Sequence, residues 1–376
     1  MTGPGGDGPN AGIDWGVVLV VEQLRRAVPG GIGRYARALI GGLASLPGTE
    51  RPRCRLYASR ARADPDPLDD LGFPSQTSRW PGPALVRAWS AGLGRIGHDA
   101  ALVHAFSFAF PPAAAPLTVS VYDLAWRSVP EAFSARGRRF HERALRRVAA
   151  QAACAVVPSE ATARALSEAG AGLGDDRIAV VEAGADHLPP ADFTALRDLL
   201  ARLGVEGDYL LAVGTLEPRK NLARLFSAYA ISRRRQAEPL PLVVVGPTGW
   251  GEPVGAPEGV VFAGQVVEPL LSALYARARL VAYVPLLEGF GLPVVEAMRA
   301  GAPVVASRVP AAAGAAYEVD ARDIESIAAG LIEVGGDEAT RARLVAAGHA
   351  RVAPLTWRAA AEGHLAVWRR VVGGGP

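Results

Sequence analysis

Short β-branched runs alternate with alanine-rich stretches of helical character along nearly the whole chain, and the alternation starts afresh about halfway. This is the pattern of parallel sheets wrapped by helices. The first series offers strands at Val17–Val21, Ala101–Ala105, Leu117–Val121, Cys154–Pro158 and Ile178–Glu182. The second offers Tyr209–Val213, Leu242–Val245, Val260–Ala263, Leu280–Val284 and Pro303–Ala306. Between them, the paired prolines of Asp186-His187-Leu188-Pro189-Pro190 end regular structure. A chain of 376 residues exceeds one ordinary core, so it reads as two doubly wound α/β domains, 15–187 and 188–354. Open sheets of this kind bind ligands beyond the carboxyl ends of their strands, which predicts a ligand cleft between the two domains.

Residues 1–14 are rich in Gly and Pro and lack a basic stretch followed by an apolar one, so they read as a disordered tail rather than a secretion signal. No apolar run reaches the length of roughly 18 residues that a spanning helix needs. Cys54 and Cys154 stand far apart without metal-ligand spacing, as expected of ordinary thiols in a reducing cytoplasm. The net charge of +3 singles out no partner. Its distribution is more informative: Arg136, Arg138, Arg139, Arg143, Arg146 and Arg147 share one stretch with Phe140, Ala144, Leu145 and Val148 at helical spacing. Such a basic amphipathic helix suits a solvated face, an acidic acceptor or the anionic inner face of the plasma membrane. Nucleic acid is not indicated, because aromatic residues are not interleaved with the arginines as a stacking surface requires.

Lys220 is the one lysine of the chain and follows Arg219 in Gly214-Thr215-Leu216-Glu217-Pro218-Arg219-Lys220-Asn221, directly after a strand. Arginine offers a planar fork and lysine a compact point charge, and a site that takes both suits a multiply charged anion such as a diphosphate. A second constellation, Glu288-Gly289-Phe290-Gly291-Leu292-Pro293-Val294-Val295-Glu296, also follows a strand. Its carboxylates can accept hydrogen bonds from vicinal hydroxyls, and its glycines permit close backbone approach, as a sugar and a ribose would require. Gly30-Gly31-Ile32-Gly33 precedes the helical run Arg34–Leu46, so backbone N–H groups at that helix start are available to a ligand. With Ala36 these glycines match a loose dinucleotide pattern, but Glu22–Pro29 separate them from their strand. A nicotinamide-dependent oxidoreductase, resting on that pattern alone, ranks well below the sugar-nucleotide reading.

Taken together, the Gly-Ile-Gly-Arg-Tyr loop at 31–35, the Arg219-Lys220 block, Gly184-Ala185-Asp186, the Glu-x7-Glu motif from 288 to 296 and Leu355-Thr356-Trp357 resemble family 4 glycosyltransferases of the GT-B fold. The resemblance runs over nearly the whole chain. It implies a metal-independent hexosyltransferase that retains anomeric configuration, with no cofactor beyond a nucleotide diphosphate sugar and mannose from GDP-mannose favoured. By the same resemblance, Arg219 and Lys220 hold the diphosphate and Glu288 binds the donor sugar together with Gly289, Phe290, Gly291 and Leu292. Glu296 takes the ribose, Val266 with its neighbours in Gly264–Val267 lies against the base, and Gly31 and Gly33 approach the diphosphate or acceptor. Residues 355–376 would form a final helix, starting near Thr356, that crosses back to the N-terminal domain. The acceptor, whether a glycan, a lipid-linked sugar or a small molecule, has no motif that identifies it.

Two departures from the family pattern stand out. Where members commonly carry His-Asp after the strand corresponding to Leu117–Val121, this chain has Tyr122-Asp123, and a phenol is a poor proton acceptor near neutral pH. Tyr122 is therefore a catalytic position of doubtful chemistry; His104 stands near the same strand ends, where a lone histidine is more often a structural residue. The segment Arg308–Val319 is shortened and lacks the usual glutamate. These departures motivate an alternative, a catalytically weakened GT-B protein acting as a binding or scaffold partner. Lys220 and Glu288 are both expected to face solvent.

Overall fold

A computed structural model describes residues 15–61, 65–249 and 255–374, so the tail expected at 1–14 lies outside the described residues. The chain forms two compact units. The first comprises the described residues up to Tyr122, Arg139–Gly184, and the chain from Trp357 onward; the second comprises Asp123–Arg138 and Ala185–Thr356. The segment Asp123–Arg138, read from sequence as part of the first domain, thus belongs by its contacts to the second.

The first unit holds a parallel sheet of β1 (Gly16–Val20), β2 (Arg53–Ala58), β3 (Ser75–Thr77), β4 (Leu102–Ala105), β5 (Leu117–Ser120), β6 (Cys154–Val157) and β7 (Ile178–Val180), in the order β3-β2-β1-β4-β5-β6-β7. Its connections carry α1 (Gly30–Ser45), α2 (Gly82–Ser90), the short α3 (Ala125–Ser128), α4 (Ala135–Gln151) and α5 (Glu160–Glu168); α3 and the first turn of α4 fall in the second unit.

The main segment of the second unit has as its first helix α6 (Phe193–Leu203), capped by the Asp192 carboxylate on the Ala195 N–H and ended by Gly204 in the left-handed conformation. Its parallel sheet comprises β8 (Leu210–Val213), β9 (Leu242–Val245), β10 (Val260–Gly264), β11 (Leu280–Tyr283), β12 (Val304–Ala306) and β13 (Tyr317–Glu318), ordered β10-β9-β8-β11-β12-β13. Around it lie α7 (Leu222–Arg234), α8 (Glu268–Arg277), α9 (Leu292–Arg299), α10 (Ile324–Gly336) and α11 (Glu338–Val352). Central strands are buried along their whole length, which is why they read as continuous apolar runs. Leu210, Ala212, Val244, Leu280 and Val305 pack with Leu225 and Phe226 of α7 and with Ile327 and Leu331 of α10.

Every run expected as a strand is one, to within a residue or two at its ends. Three strands went unread. In β2 buried residues alternate with Arg53, Arg55 and Tyr57, β3 is fully exposed, and β13 is only two residues long. The final helix, α12 (Trp357–Val372), packs along α1 within the first unit. A side chain at Gly42 would meet the Trp357 carbonyl at 2.2 Å, so glycine sets how closely these helices approach.

Candidate functional site

In the second unit the strand order reverses between β8 and β11, and the loops leaving their carboxyl ends come together there, as open α/β sheets dictate for ligand sites. After β8 the chain runs beside the loop after β9. Leu216 N–H donates to Pro247 O at 3.0 Å, and a Cβ on Gly246 would lie 2.0 Å from Gly214 O. A 3-10 turn over Pro218–Lys220 then ends at Asn221, whose φ of 61° is left-handed, a conformation asparagine tolerates better than most residues. The buried Asn221 amide donates to Val284 O at 3.0 Å and to Ala321 O at 2.7 Å, and Leu286 N–H donates to Arg219 O at 3.0 Å. Backbone and amide together stitch the Arg219-Lys220 turn to the β11 loop before any charge is considered.

The charges then converge on one atom. Glu288 Oε1 accepts from Arg219 Nη1 at 2.8 Å, from Lys220 Nζ at 2.5 Å and from the Tyr283 hydroxyl at 2.8 Å. Lys220 Nζ also donates to Tyr283 Oη at 2.8 Å. The other arm of Arg219 donates to Glu217 Oε1 at 2.9 Å, and Asp123 Oδ2 stands 3.8 Å from Nη1. Asp123 is itself steadied by accepting from Ala125 N–H at 2.9 Å. Burial pushes the Glu288 carboxyl up, but the Arg219 and Lys220 charges and the bonds from Lys220 and Tyr283 outweigh it and leave it at about 2. Burial likewise opposes the Arg219 charge, and Glu288, Asp123 and Glu217 overcome that, so its pKa is raised. Glu217 goes the other way: burial, offset only in part by Arg219 and Lys220, raises it. The Lys220 and Glu288 side chains are only 14% and 12% exposed, so the expectation that they face solvent is overturned; they are buried against each other.

The glycine-rich loop builds the start of α9. Gly291 has φ 110° and caps that helix, Phe290 packs inward, and Phe290 O accepts from Ala311 N–H at 2.9 Å. The shortened segment after Ser307 therefore supports this loop directly. Leu292 opens the helix, and Gly289 lies beside Glu288 in the turn. Glu296, expected to contact the ribose, is deeply buried. It sits on the inward face of α9, 1% exposed, with Tyr275 donating to Oε2 at 2.8 Å and His187 Nε2 3.1 Å from Oε1. Both its oxygens are engaged within the second unit. Val266 follows β10 in a turn whose neighbours Gln265 and Val267 are exposed.

The remaining sequence candidates lie in the first unit. Gly31 is exposed in the first turn of α1. Gly33 is buried, and a Cβ there would lie 2.2 Å from Pro29 Cβ, so local packing alone requires glycine. The Tyr122 ring packs edge-on against Tyr35, with centroids 5.1 Å apart. Its hydroxyl is buried near Ser120 without a well-formed hydrogen bond among the described residues, and burial, reinforced by Tyr35, pushes the phenol well above its ordinary pKa. The hydroxyl thus packs into the first unit beside the ring of Tyr35. His104 is fully buried, 2.9 Å from Thr118 Oγ1, and burial followed by the nearby His364 holds its pKa well below the usual histidine value. On α4, Arg136, Arg138, Arg139, Arg143 and Arg146 are exposed, whereas Arg147 turns inward over the Phe110 ring. Phe140, expected on the apolar face, is 36% exposed.

Sequence reasoning missed Glu217, Asn221 and Tyr283 as members of this site; the first two were visible in the Arg-Lys block, whereas nothing local marked Tyr283. Among the described residues, no group of three or more His, Cys, Asp or Glu could hold a metal, and no helix is long and apolar enough to cross a membrane.

A family profile described as glycosyl transferases group 1 matches residues 202–351, the stretch that contains both converging loops. O-antigen chain mannosyltransferase B of Escherichia coli is 34% identical over 197 residues, 48% of this chain and 51% of that protein. D-inositol 3-phosphate glycosyltransferase of Salinispora arenicola is 32% identical over 224 residues, 52% of this chain and 50% of the relative. The chain thus spans about half the length of the curated relatives it matches. Among solved structures, HepE of Anabaena in complex with UDP and glucose aligns with a TM-score of 0.72 at 18% identity, covering 94% of this chain and 99% of that one. WaaG, a glycosyltransferase involved in lipopolysaccharide biosynthesis, aligns at 0.67 and 16%, covering 95% and 100%. At such identities the likeness is one of fold, the GT-B fold with its two Rossmann-like domains. None of these relatives favours the scaffold alternative. The similarity to the glycosyl transferases group 1 family thus lies in residues 202–351, within the second unit.

Proposed function

We propose that this protein is a retaining family 4 glycosyltransferase that moves a hexose from a nucleoside diphosphate sugar to a glycan, lipid-linked or small-molecule acceptor. The observation that carries the reading is the convergence of Arg219 and Lys220 on a single carboxylate oxygen where the β8 and β11 loops meet. Two cations fixed that way are suited to a diphosphate. In the proposed reaction the anomeric carbon loses its bond to the diphosphate and gains one to the acceptor oxygen on the same face, while a leaving-phosphate oxygen takes the acceptor proton. Negative charge grows on the diphosphate as that bond breaks, so cations already held in place stabilise the transition state more than the ground state. Their charge serves where a metal ion would otherwise be needed.

Glu288, the backbone of Gly289, Phe290 and Gly291, and Leu292 at the start of α9 take the donor sugar, and the Val266 turn receives the base. Tyr122 takes no part in proton transfer, since its hydroxyl is buried within the first unit. GDP-mannose is the favoured donor because O-antigen chain mannosyltransferase B and the serotype-specific mannosyltransferase WbdA are among the matching relatives. UDP-glucose is its competitor, because HepE was solved with that donor. The exposed arginines of α4 suit peripheral contact with the anionic cytoplasmic face of a membrane.

Incubation with GDP-mannose or UDP-glucose, followed by proton NMR, tests the reading. Consumption of one donor with release of its diphosphate and an axial anomeric product from an axial donor is expected. An inverted product would overturn the retaining mechanism, and no turnover of any donor across an acceptor panel would overturn the activity.

A further inference from the structure

The Glu288 carboxylate stands where a ligand anion would have to stand. Its Oε1 takes a hydrogen bond from each of Arg219, Lys220 and Tyr283, while Glu217 holds the other arm of Arg219 and Asp123 stands near Nη1. Two cations therefore face three carboxylates, and the cluster carries no spare positive charge before donor arrives.

From this geometry we infer that Glu288 is the resident anion of the site, that a nucleotide must displace it from Arg219 and Lys220 to bind, and that this exchange makes Glu288 a selector for diphosphates over monophosphates. The inference rests on the donor-site reading above. A monophosphate would trade one anion for another while repelling the carboxylates that remain. A diphosphate brings two phosphoryl groups, one for the guanidinium and one for the ammonium, and so repays the broken internal bonds. The cations do not lose their aim in the exchange. Glu217 keeps its hold on Arg219 Nη2 at 2.9 Å, and the Tyr283 hydroxyl keeps its contact with Lys220 at 2.8 Å. Tyr283 then has its proton to offer a phosphate oxygen, and the displaced Glu288 is available to the hydroxyls of the sugar.

Calorimetric titration of the whole protein with GDP, UDP, GMP and UMP, comparing wild type with Glu288→Gln and Glu288→Asp, separates the possibilities. Glu288→Gln is expected to bind the diphosphate about tenfold more tightly, a change of roughly 1.4 kcal/mol, and to gain still more for the monophosphate, so that selectivity narrows. Sugar transfer should fall in the same variant, because the sugar contact is lost. Glu288→Asp, with its charge withdrawn by one methylene, should fall between the two and decides the matter if the Gln variant does not fold. Diphosphate affinity equal to or below that of wild type in a folded variant, or an unchanged ratio of diphosphate to monophosphate, would overturn the inference while leaving the donor site standing. Absence of nucleotide binding to wild type would overturn the donor-site reading itself.

Discussion

Each unit buries a cluster of titratable side chains, and the two clusters solve the cost of burial in opposite ways. In the second unit, Arg219, Lys220, Glu217 and Glu288 each meet an opposite charge, and Glu288 is held at about 2. In the first, His104, His364, Tyr35 and Tyr122 pack ring against ring, and burial keeps all of them neutral. A titratable residue at a strand end is thus no guide to chemistry by itself. Where counter-charges are supplied, burial creates a site for ions; where they are not, it creates core.

If this contrast is right, the largest effect belongs to the charged cluster. Lys220→Ala should lower the rate of sugar transfer by about 10²-fold or more, the scale of losing a donor to a developing oxyanion. A variant that keeps wild-type turnover would place the chemistry elsewhere. Next comes acid sensitivity of the neutral cluster. Burial depresses His364 to about 4, although its bond to Ala360 O resists this, and His104 lies well below its ordinary value. The unfolded histidines bind more protons below about pH 6.5, so this stability is present above that pH and is lost as pH falls toward 4, at a cost of the order of 3 kcal/mol for His364. The Glu288 contribution, with a folded value of about 2, is lost only at lower pH, below about 4.5. Fluorescence of Trp357 and Trp368, which pack beside Tyr35 and His364 respectively, should therefore report unfolding of the first unit in the higher pH window. A pH-independent transition from 7 to 4 would contradict that ordering.

Asn221→Ala should cost about 2 kcal/mol, through two lost buried hydrogen bonds and a strained left-handed residue, and should weaken diphosphate binding along with the thermal midpoint. Asn221→Gly, which relieves only the strain, should recover part of the stability. The smallest effect is expected at Tyr122→Phe. Removing a buried hydroxyl without a well-formed partner should change stability by less than about 1 kcal/mol, and transfer should stay within about twofold of wild type. A collapse of activity there would restore Tyr122 to the reacting groups.

The same contrast explains what the sequence disclosed. Buried strands advertise themselves as apolar runs, whereas β2, with Arg53, Arg55 and Tyr57 at alternate positions, and the exposed β3 do not. Lys220 and Glu288 were legible because their residue types and loop positions are unusual within the chain. Tyr283 and the Asn221 amide were not, because their roles depend on bonds to residues more than sixty positions away or across a turn that only folding closes. Tyr122 was noticed for its position, but no local pattern tells which way a side chain turns at a strand end, and its burial against Tyr35 was not legible. The burial of Glu296 was hidden for the same reason: helical spacing sets a face, and only the neighbours Tyr275 and His187 show that the face is buried.

The central claim is that Arg219, Lys220 and Glu288 form a diphosphate site. Its most direct test is calorimetric binding of a panel of nucleoside diphosphates and nucleotide sugars to wild type and to Lys220→Ala. The account predicts selective binding of one base in the wild type and its loss in a variant that remains folded. Undiminished binding to Lys220→Ala, or none to the wild type, would contradict it.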